Sequence, residues 1–348
     1  DPTASALLGH WLYANGRPAD AVARWRRSVA VDPSDPVVWR NLGVAAYNVD
    51  HDSDGAVEAY ERAMEVAPDD ARLLFESDQL WRLTGRSVHD RLARLDARPD
   101  LVGCRDDLTV AYAHLLVSAD RAPEALAVLQ DRRFQPWEGG EGQVLRCWER
   151  THLTLAQSSL QLGEPSVAVD HLVAALEPPA SLGETRHPLA SPAQVLLALG
   201  DAQAATGDLD AARTSWASAA AAAGDFTSMS PTAYSENTYF SVLAARRVGE
   251  EDRANALLSG LGDHVRRLAH TPARIDYFAT SLPTLLLFHD DPQRQQDLSL
   301  GLLGAELAAL QEGAEPALAL LQSVLARDPS NEPALDLIRS LSPVRRTA

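Results

Sequence analysis

Residues 36–68 decide the fold, and they read PVVWRNLGVAAYNVDHDSDGAVEAYERAMEVAP. Small residues at fixed spacing let two helix axes approach within about 8–10 Å, and a proline disfavours helix in the residue before it. The stretch therefore predicts a hairpin of two antiparallel helices that ends at a proline. Its landmarks are a large residue, a Leu-Gly pair, a small residue, an aromatic residue, a second small residue and a proline: Trp39, Leu42, Gly43, Ala56, Tyr60, Ala63 and Pro68.

The same landmarks precede this stretch and return downstream, with a period of 34 residues typical of helical hairpins. Pro33 and Pro68 are 35 residues apart, because the second hairpin carries one inserted residue. Weaker hairpins are expected around Gly85 and Asp120, which brings the total to about eight. The copies are marked by Leu8, Gly9, Ala21, Trp25, Ser28 and Pro33; by Gly163, Ala168, Leu172 and Ala175; by Leu199, Gly200, Gly207, Ala212, Trp216 and Ala219; by Gly249 and Ala254; and by Ala317, Leu321 and Pro329.

This pattern resembles the tetratricopeptide repeat over nearly the whole chain. The resemblance implies an all-α fold, a right-handed superhelix or α-solenoid of about eight helical hairpins with irregular loops between repeats. No hairpin of this kind buries its apolar face alone, so stacking supplies the core. We predict a single solenoid domain over 1–348, with regular repeats at about 2–70, degenerate repeats at about 71–135, a loop at 136–142, and repeats at about 149–180, 193–223, 235–263 and 298–331.

Composition supports a helical scaffold and excludes several chemistries. Ala supplies 58 of 348 residues and Ile only two, so the content of strand-forming residues is low. All 31 basic residues are Arg, which excludes a Schiff-base lysine and a Walker A phosphate loop. The net charge of −17 disfavours nucleic acid and acidic membrane surfaces as partners. A neutral or basic polypeptide partner remains compatible with this charge.

Cysteine usage and the chain ends bear on localisation. Cys104 and Cys147 lack the spacing partners of a zinc site, so we expect two free, mostly buried thiols. Free thiols favour a reducing, cytoplasmic location. No apolar run reaches the ~18 residues of a membrane span. Because the chain opens at Asp1 without Met, we expect a fragment or a processed product of a longer protein.

Three stretches interrupt the repeat, and loops of this kind often carry function. Pro136–Gly142 offers Trp137, which could stack on a sugar or anchor a partner, and Glu138 with Glu141, which could accept hydroxyl hydrogen bonds or act as an acid–base pair. The alternative is an inter-repeat loop whose Trp plugs the core. Ser181–Pro188 is a polar loop, and Ile275–Pro283 contains Asp276 and Tyr277, which are candidates only if exposed.

The segments Pro136–Gly142, Ser181–Glu184 and Ile275–Pro283 between such repeats resemble one bacterial family. Its members carry an amino-terminal domain of unknown function, related to galactose-mutarotase-like β-sandwiches, ahead of carboxy-terminal repeats. The resemblance implies that this chain is the repeat half of such a protein and that the other half handles carbohydrate. It transfers no activity to named residues.

A calcium-loop expression is matched at Asp50, Asp52, Asp54, Gly55 and Glu61. Carboxylates at these positions suit a hard cation. The repeat, however, needs Ala56 already on the second helix, which must begin near Asp54, whereas a calcium loop stays non-helical beyond that point. The aspartates are therefore interpreted as helix-capping residues, and no metal is expected.

The concave face of the stacked hairpins is the expected binding surface. Arg, Tyr and Asn on this face can hold the carbonyl groups or a carboxylate of a peptide. Some tetratricopeptide domains clamp a terminal carboxylate with Lys and Asn, but this chain has no Lys and places Glu76 where the clamp has a base. The main candidates are Tyr13, Arg40, Tyr47, Asn48 and Arg82, and His10, Arg72 and Gln79 lie on the same face.

The leading interpretation is a non-catalytic interaction or scaffold module, because a complete repeat array occurs without a catalytic motif. Its partner would be a protein or peptide, or an upstream domain of the same polypeptide. One alternative is the accessory half of a carbohydrate-active protein, with the 136–142 loop contributing to a glycan site. A homo-oligomer built on the repeat surfaces is a third interpretation, and no cofactor is expected.

Overall fold

Capping residues and turn glycines divide the chain into helix pairs in the computed structural model, which describes residues 1–137, 139–222, 224–227, 230–273 and 287–342. Asp35, for example, accepts a hydrogen bond from Val37 N at 2.9 Å, which starts a helix. The described residues form eight antiparallel pairs: α1 (Pro2–Ala14) with α2 (Pro18–Val31), α3 (Pro36–Ala45) with α4 (Ser53–Val66), α5 (Ala71–Leu83) with α6 (Val88–Asp96), α8 (Asp106–Ser118) with α9 (Ala122–Gln130), α10 (Gln143–Gln161) with α11 (Pro165–Leu176), α12 (Ala193–Thr206) with α13 (Leu209–Ala221), α14 (Asn237–Val248) with α15 (Glu251–Ala269), and α16 (Pro292–Gln311) with α17 (Ala314–Arg327).

Four short elements and one last helix complete the described chain. They are a π-helical turn (Ala46–Asp50), the single-turn helix α7 (Pro99–Val102), a 3₁₀ turn (Ala180–Leu182), a hairpin of β1 (Asp225–Thr227) with β2 (Ser230–Thr232), and α18 (Glu332–Leu341). The strands pair antiparallel, with Phe226 opposite Pro231. The predicted all-α solenoid fold of about eight hairpins is confirmed.

The described residues fall into two compact units, each with stacked hairpins and its own core. Unit 1 comprises residues 1–109 with the separate segment 287–290, and unit 2 comprises 110–273 with 291–342. The core of unit 1 is centred on Trp25 and Tyr60, while unit 2 builds its core from alanines and leucines such as Ala245 and Leu321. The prediction of a single continuous domain stays a prediction.

Aromatic residues pack on the glycine of their own hairpin. A methyl group placed on Gly43 would lie 2.6 Å from the Tyr60 ring, and one on Gly9 would lie 2.6 Å from Trp25 Cδ1. Trp216 lies against Gly200 in the same way. The absence of a side chain at these glycines is what allows the ring to fill the space between the two helices.

The inserted residue of the second hairpin is absorbed locally. Helix α3 passes into the π-helical turn Ala46–Asp50, and the following residue, His51, has a φ of 54°. Helix α4 then begins at Ser53 with Asp52 as its cap. A π turn widens a helix by one residue and rotates the side chains on it relative to a regular α-helix. The turn carries Tyr47 and Asn48, two of the predicted groove residues.

Candidate functional site

Asn48 binds the main chain of a segment that lies far away in sequence. Its side-chain Nδ2 donates to the carbonyl oxygen of Leu287 at 2.9 Å, and the backbone N of His289 donates to its Oδ1 at 2.8 Å. Both polar atoms of the amide therefore form hydrogen bonds with the backbone of a three-residue, non-helical segment. This geometry recognises main chain on either side of one residue, Phe288.

Phe288 inserts its side chain between two tyrosines of unit 1. Its ring lies edge-on to Tyr47, with centroids 5.4 Å apart and planes at 79°, and 5.6 Å from Tyr60. Phe288 is only 4% exposed, whereas His289 next to it is exposed. Edge-to-face aromatic pairs add to the free energy of apolar burial. We define the groove as Tyr47, Asn48 and Tyr60, the residues that hold this segment.

A network of charged residues is hydrogen-bonded to the groove through Tyr60. Glu76 is buried and accepts from Arg40 Nε at 2.5 Å and Nη2 at 2.8 Å, from Arg72 Nε at 2.7 Å and from Tyr60 Oη at 3.0 Å. Burial alone would lower the pKa of Arg40, but the adjacent Glu76 outweighs burial and raises it. Burial, followed by Glu76, raises the pKa of Tyr60 well above its usual range. Tyr60 is thus a fixed hydrogen-bond donor to Glu76.

The structure brings only some of the predicted groove residues together. Tyr47 and Asn48 meet at the segment 287–289, whereas the guanidinium of Arg40 is bound to Glu76. Tyr13 instead packs on Trp25, with ring centroids 5.5 Å apart, and Arg82 is exposed. Of the other residues predicted on this face, His10 also lies against Trp25, Arg72 bonds Glu76, and Gln79 is half-buried.

The loop 136–142 is arranged as a connection into helix α10. A methyl group at Gly140 would overlap the Trp137 ring, so that ring folds back onto its own loop. Glu184, from the second interrupting loop, accepts from Gly142 N at 2.8 Å and Leu145 N at 2.6 Å and so caps α10. Glu141 is exposed. Glu138, Asp276 and Tyr277 lie outside the described residues, and their predicted roles stay predictions.

The calcium-like sequence takes the capping arrangement expected of it. Asp52 Oδ1 accepts from Gly55 N at 2.9 Å, and α4 is helical from Ser53 onward, so Glu61 lies two turns into the helix. Asp50 Oδ2 lies 3.8 Å from Arg26 Nη2. The helical backbone at 53–58 does not offer the wrapped loop that calcium coordination at these residues would need.

Sequence reasoning missed a partly buried ionic cluster in unit 2. Arg150 binds Asp336 on α18 through two hydrogen bonds of 2.6 and 2.9 Å, and His114 Nδ1 lies 3.0 Å from Glu332 Oε2. Burial alone would lower the pKa of His114, but Cys147 and Glu332 outweigh it and raise the pKa to about 10. Arg150 and Asp336 are 186 residues apart in the sequence. A repeat pattern relates neighbouring hairpins only and does not predict such pairs.

His152 and His171 approach each other across the hairpin of α10 and α11, with their Nδ1 atoms 3.1 Å apart. Both cysteines are free, and Cys147 is buried. Cys104 is exposed, contrary to the expectation of two buried thiols, because it lies in the turn after α7, where its Sγ donates to Asp100 O at 3.2 Å.

Two segments of the chain are similar to the tetratricopeptide repeat. Residues 7–71 and 153–226 match the tetratricopeptide repeat family. The first segment covers most of α1 and all of α2, α3 and α4, and the second covers the second half of α10 and all of α11, α12 and α13. Tetratricopeptide proteins generally mediate protein–protein interactions. The narrower resemblance to a family with a mutarotase-like domain stays a prediction.

Solved structures of low sequence identity are similar to this chain. PilW, a type IV pilus biogenesis factor, is 18% identical, with 62% of this chain and 90% of PilW covered and a TM-score of 0.33. The tetratricopeptide domain of P58(IPK) is 15% identical, with coverages of 98% and 89% and a TM-score of 0.25. A tetratricopeptide protein of Thermus thermophilus is 18% identical, with coverages of 64% and 92% and a TM-score of 0.23. Every helix in the described part of the chain is too short or too polar to cross a membrane.

Proposed function

We propose that this chain is a non-catalytic protein-interaction module that binds a short polypeptide segment in the groove of unit 1. The observation that carries the proposal is the pair of hydrogen bonds in which Asn48 donates to the Leu287 carbonyl oxygen and accepts from the His289 backbone N. An amide that both donates to and accepts from a backbone recognises a polypeptide whatever its side chains. The partner is a protein or peptide, including an upstream domain of the same polypeptide.

The groove binds through aromatic and amide contacts rather than through net charge. Arg40 is bound to Glu76, so it does not present an unpaired cation to a partner's carboxylate. Tyr47 and Tyr60 supply apolar ring surface, the type of side chain that dominates binding energy at protein interfaces. The chain's overall negative charge favours neutral or basic segments over acidic ones.

Selection from a random peptide display library on the folded chain tests the proposal. In a Phe288→Ala background, which lacks the ring seated against the two tyrosines, we expect enriched peptides whose binding falls at least tenfold when Asn48→Ala is added, because that change removes both backbone contacts while keeping the tyrosines. Arg213→Ala, an exposed change on α13, is the matched control in the same background and should leave the binding of these peptides unchanged. Failure to enrich any peptide, or equal binding by Asn48→Ala, would refute the proposal.

Arg40→Glu is not a clean probe of this groove. The new carboxylate would face Glu76 in a buried site, which costs stability in its own right. Tyr47→Ala, in contrast, removes a partly exposed ring and leaves the Arg40–Glu76 pair intact. A loss of peptide binding in Tyr47→Ala with unchanged helical content is therefore the second expected result.

A further inference from the structure

The groove proposed to bind a partner is already occupied by residues of the same chain. Leu287, Phe288 and His289 are 239 or more residues away from Asn48 in sequence and belong to the same compact unit. We propose that 287–289 is an internal competitor that imitates the partner, so that a partner gains the groove by displacing it. This inference rests on the proposed function and adds a recognition rule and a form of regulation to it.

The contacts of 287–289 are those of a bound peptide. Backbone groups on both sides of one buried side chain form hydrogen bonds with the protein. Asn48 uses both of its polar atoms on main-chain groups, and Phe288 is the side chain that fills the space between the tyrosines. Leu287 packs partly against the same apolar cluster, while the side chain of His289 is exposed. A different chain that presents the same three groups would make the same contacts.

The geometry sets a rule for what the groove accepts. The buried residue must be aromatic, because it meets the ring of Tyr47 edge-on and because the hydroxyl of Tyr60 is already bonded to Glu76. The residue after it must carry a backbone N–H for Asn48 Oδ1. Proline lacks this group, so a proline directly after the aromatic residue is incompatible with binding.

Occupation by its own segment weakens the affinity of the chain for any partner. A tethered segment acts at a high effective concentration. The apparent dissociation constant of an external peptide therefore rises in inverse proportion to the fraction of molecules with an open groove. Removing the internal side chain should reverse this effect.

A labelled peptide of residues 284–291, TLLLFHDD, measures the effect by fluorescence anisotropy on the full chain. We expect Phe288→Ala to bind it at least tenfold more tightly than the wild type, and Phe288→Ala combined with Asn48→Ala to lose that gain. His289→Ala is the matched control, because it alters an exposed side chain and keeps the backbone N–H. Peptides with Ala in place of Phe, or Pro in place of His, should bind at least tenfold more weakly to Phe288→Ala.

Equal affinity of the wild type and Phe288→Ala would overturn the inference while leaving the proposed function standing, provided that library peptides still bind in an Asn48-dependent way. If no peptide binds any variant, both proposals fail. A Phe288-dependent dimer in light scattering would also overturn it, since the segment would then come from a second copy.

Hydrogen exchange at the His289 amide gives a readout that does not depend on the folding of Phe288→Ala. We expect faster exchange in Asn48→Ala, which lacks the acceptor for this N–H. A saturating amount of a library peptide should also accelerate exchange in the wild type, because the peptide displaces the segment. Unchanged exchange with the peptide bound would refute displacement.

Discussion

At the residue scale, close contacts between glycines and aromatic rings define each hairpin. Gly43 and Tyr60 show the requirement, since a Cβ at Gly43 would come within 2.6 Å of the ring and 3.1 Å of the Ala56 carbonyl oxygen. The repeat pattern predicts which positions are small and which are aromatic. The same residue, Tyr60, also contacts Phe288, so one side chain serves both the packing of its hairpin and the contact with the segment 287–289.

Gly43→Ala should lower the free energy of unfolding by roughly 1–3 kcal/mol, because the ring of the buried Tyr60 must move in a tightly packed core. Gly304→Ala in helix α16 is the matched control, since a Cβ there meets no heavy atom within 4 Å. That control should stabilise by roughly 0.5–1 kcal/mol through helix propensity. Urea denaturation followed by circular dichroism measures both, and equal effects would contradict the packing argument.

Glu306 is a buried acid whose ionised form is unfavourable. It is 3% exposed, and its Oε2 has no hydrogen-bond partner among the described residues. Burial, followed by the nearby Glu236, raises its pKa well above the ordinary value. In the folded chain it therefore stays protonated at a pH where the unfolded chain ionises it, and this difference costs stability increasingly as pH rises above about 4.5.

Glu306→Gln should therefore raise the free energy of unfolding at pH 7, because a neutral amide replaces a group that must hold its proton. The gain should shrink towards pH 4, where the unfolded carboxyl is protonated as well. Glu61→Gln, at an exposed position on α4, should change nothing measurable. Denaturation curves at pH 4 and pH 7 provide the test, and a gain that does not depend on pH would argue against it.

At the element scale, one inserted residue shapes the groove. The 35-residue spacing between Pro33 and Pro68 predicts an insertion, but spacing alone does not say how a helix accommodates it. The structure absorbs the insertion as the π-helical turn Ala46–Asp50, which sets the positions of Tyr47 and Asn48. A regular α-helix through this region would rotate both side chains relative to the segment they hold.

The hairpin of α10 and α11 contains a histidine pair with a pH-dependent stability. Burial, followed by His171, lowers the pKa of His152 to about 4, and burial lowers the pKa of His171. Between pH 6.5 and 4 the unfolded chain therefore binds more protons at these residues than the folded chain. The stability they contribute is fully present above pH 6.5 and is lost as pH falls towards 4.

His152→Gln should reduce the loss of stability between pH 6.5 and 4 by about 2–3 kcal/mol, which is the free energy that corresponds to the shifted pKa of His152. His89→Gln, an exposed change on α6, serves as the control and should follow the wild-type profile. Urea midpoints at several pH values measure the difference. Parallel profiles for wild type and His152→Gln would show that other groups govern the acid loss.

At the scale of the whole molecule, the repeat pattern does not predict contacts between residues that are far apart in the sequence. Residue types and period were enough to predict the hairpins, whereas the binding role predicted for Tyr47 and Asn48 from their repeat positions stays a prediction. Phe288 was missed because it lies outside the repeat register, in a segment that resembles an ordinary loop. Glu76 was recognised as a departure from a carboxylate clamp, but its role in binding Arg40, Arg72 and Tyr60 depends on three helices that only folding brings together.

Asp336→Ala should destabilise unit 2 by about 2–3 kcal/mol, because it leaves the mostly buried Arg150 without its main partner. The double change Arg150→Met with Asp336→Leu should recover most of that loss, since apolar residues of similar volume need no counter-charge. Asp210→Ala, which ends a long and exposed contact with Arg213, should have no measurable effect. Thermal or urea unfolding of the three variants measures these changes in the free energy of unfolding. If Asp336→Ala were as stable as the wild type, the Arg150–Asp336 pair would have no structural role.

The distance in sequence between Asn48 and the segment it holds also has a consequence during synthesis. Leu287 is added 239 residues after Asn48, which at about 5–20 residues per second corresponds to about 12–48 s on the ribosome. The first hairpins can fold before then, since each needs only its neighbours. Throughout that interval the nascent chain has Tyr47, Asn48 and Tyr60 in place and no internal segment to cover them.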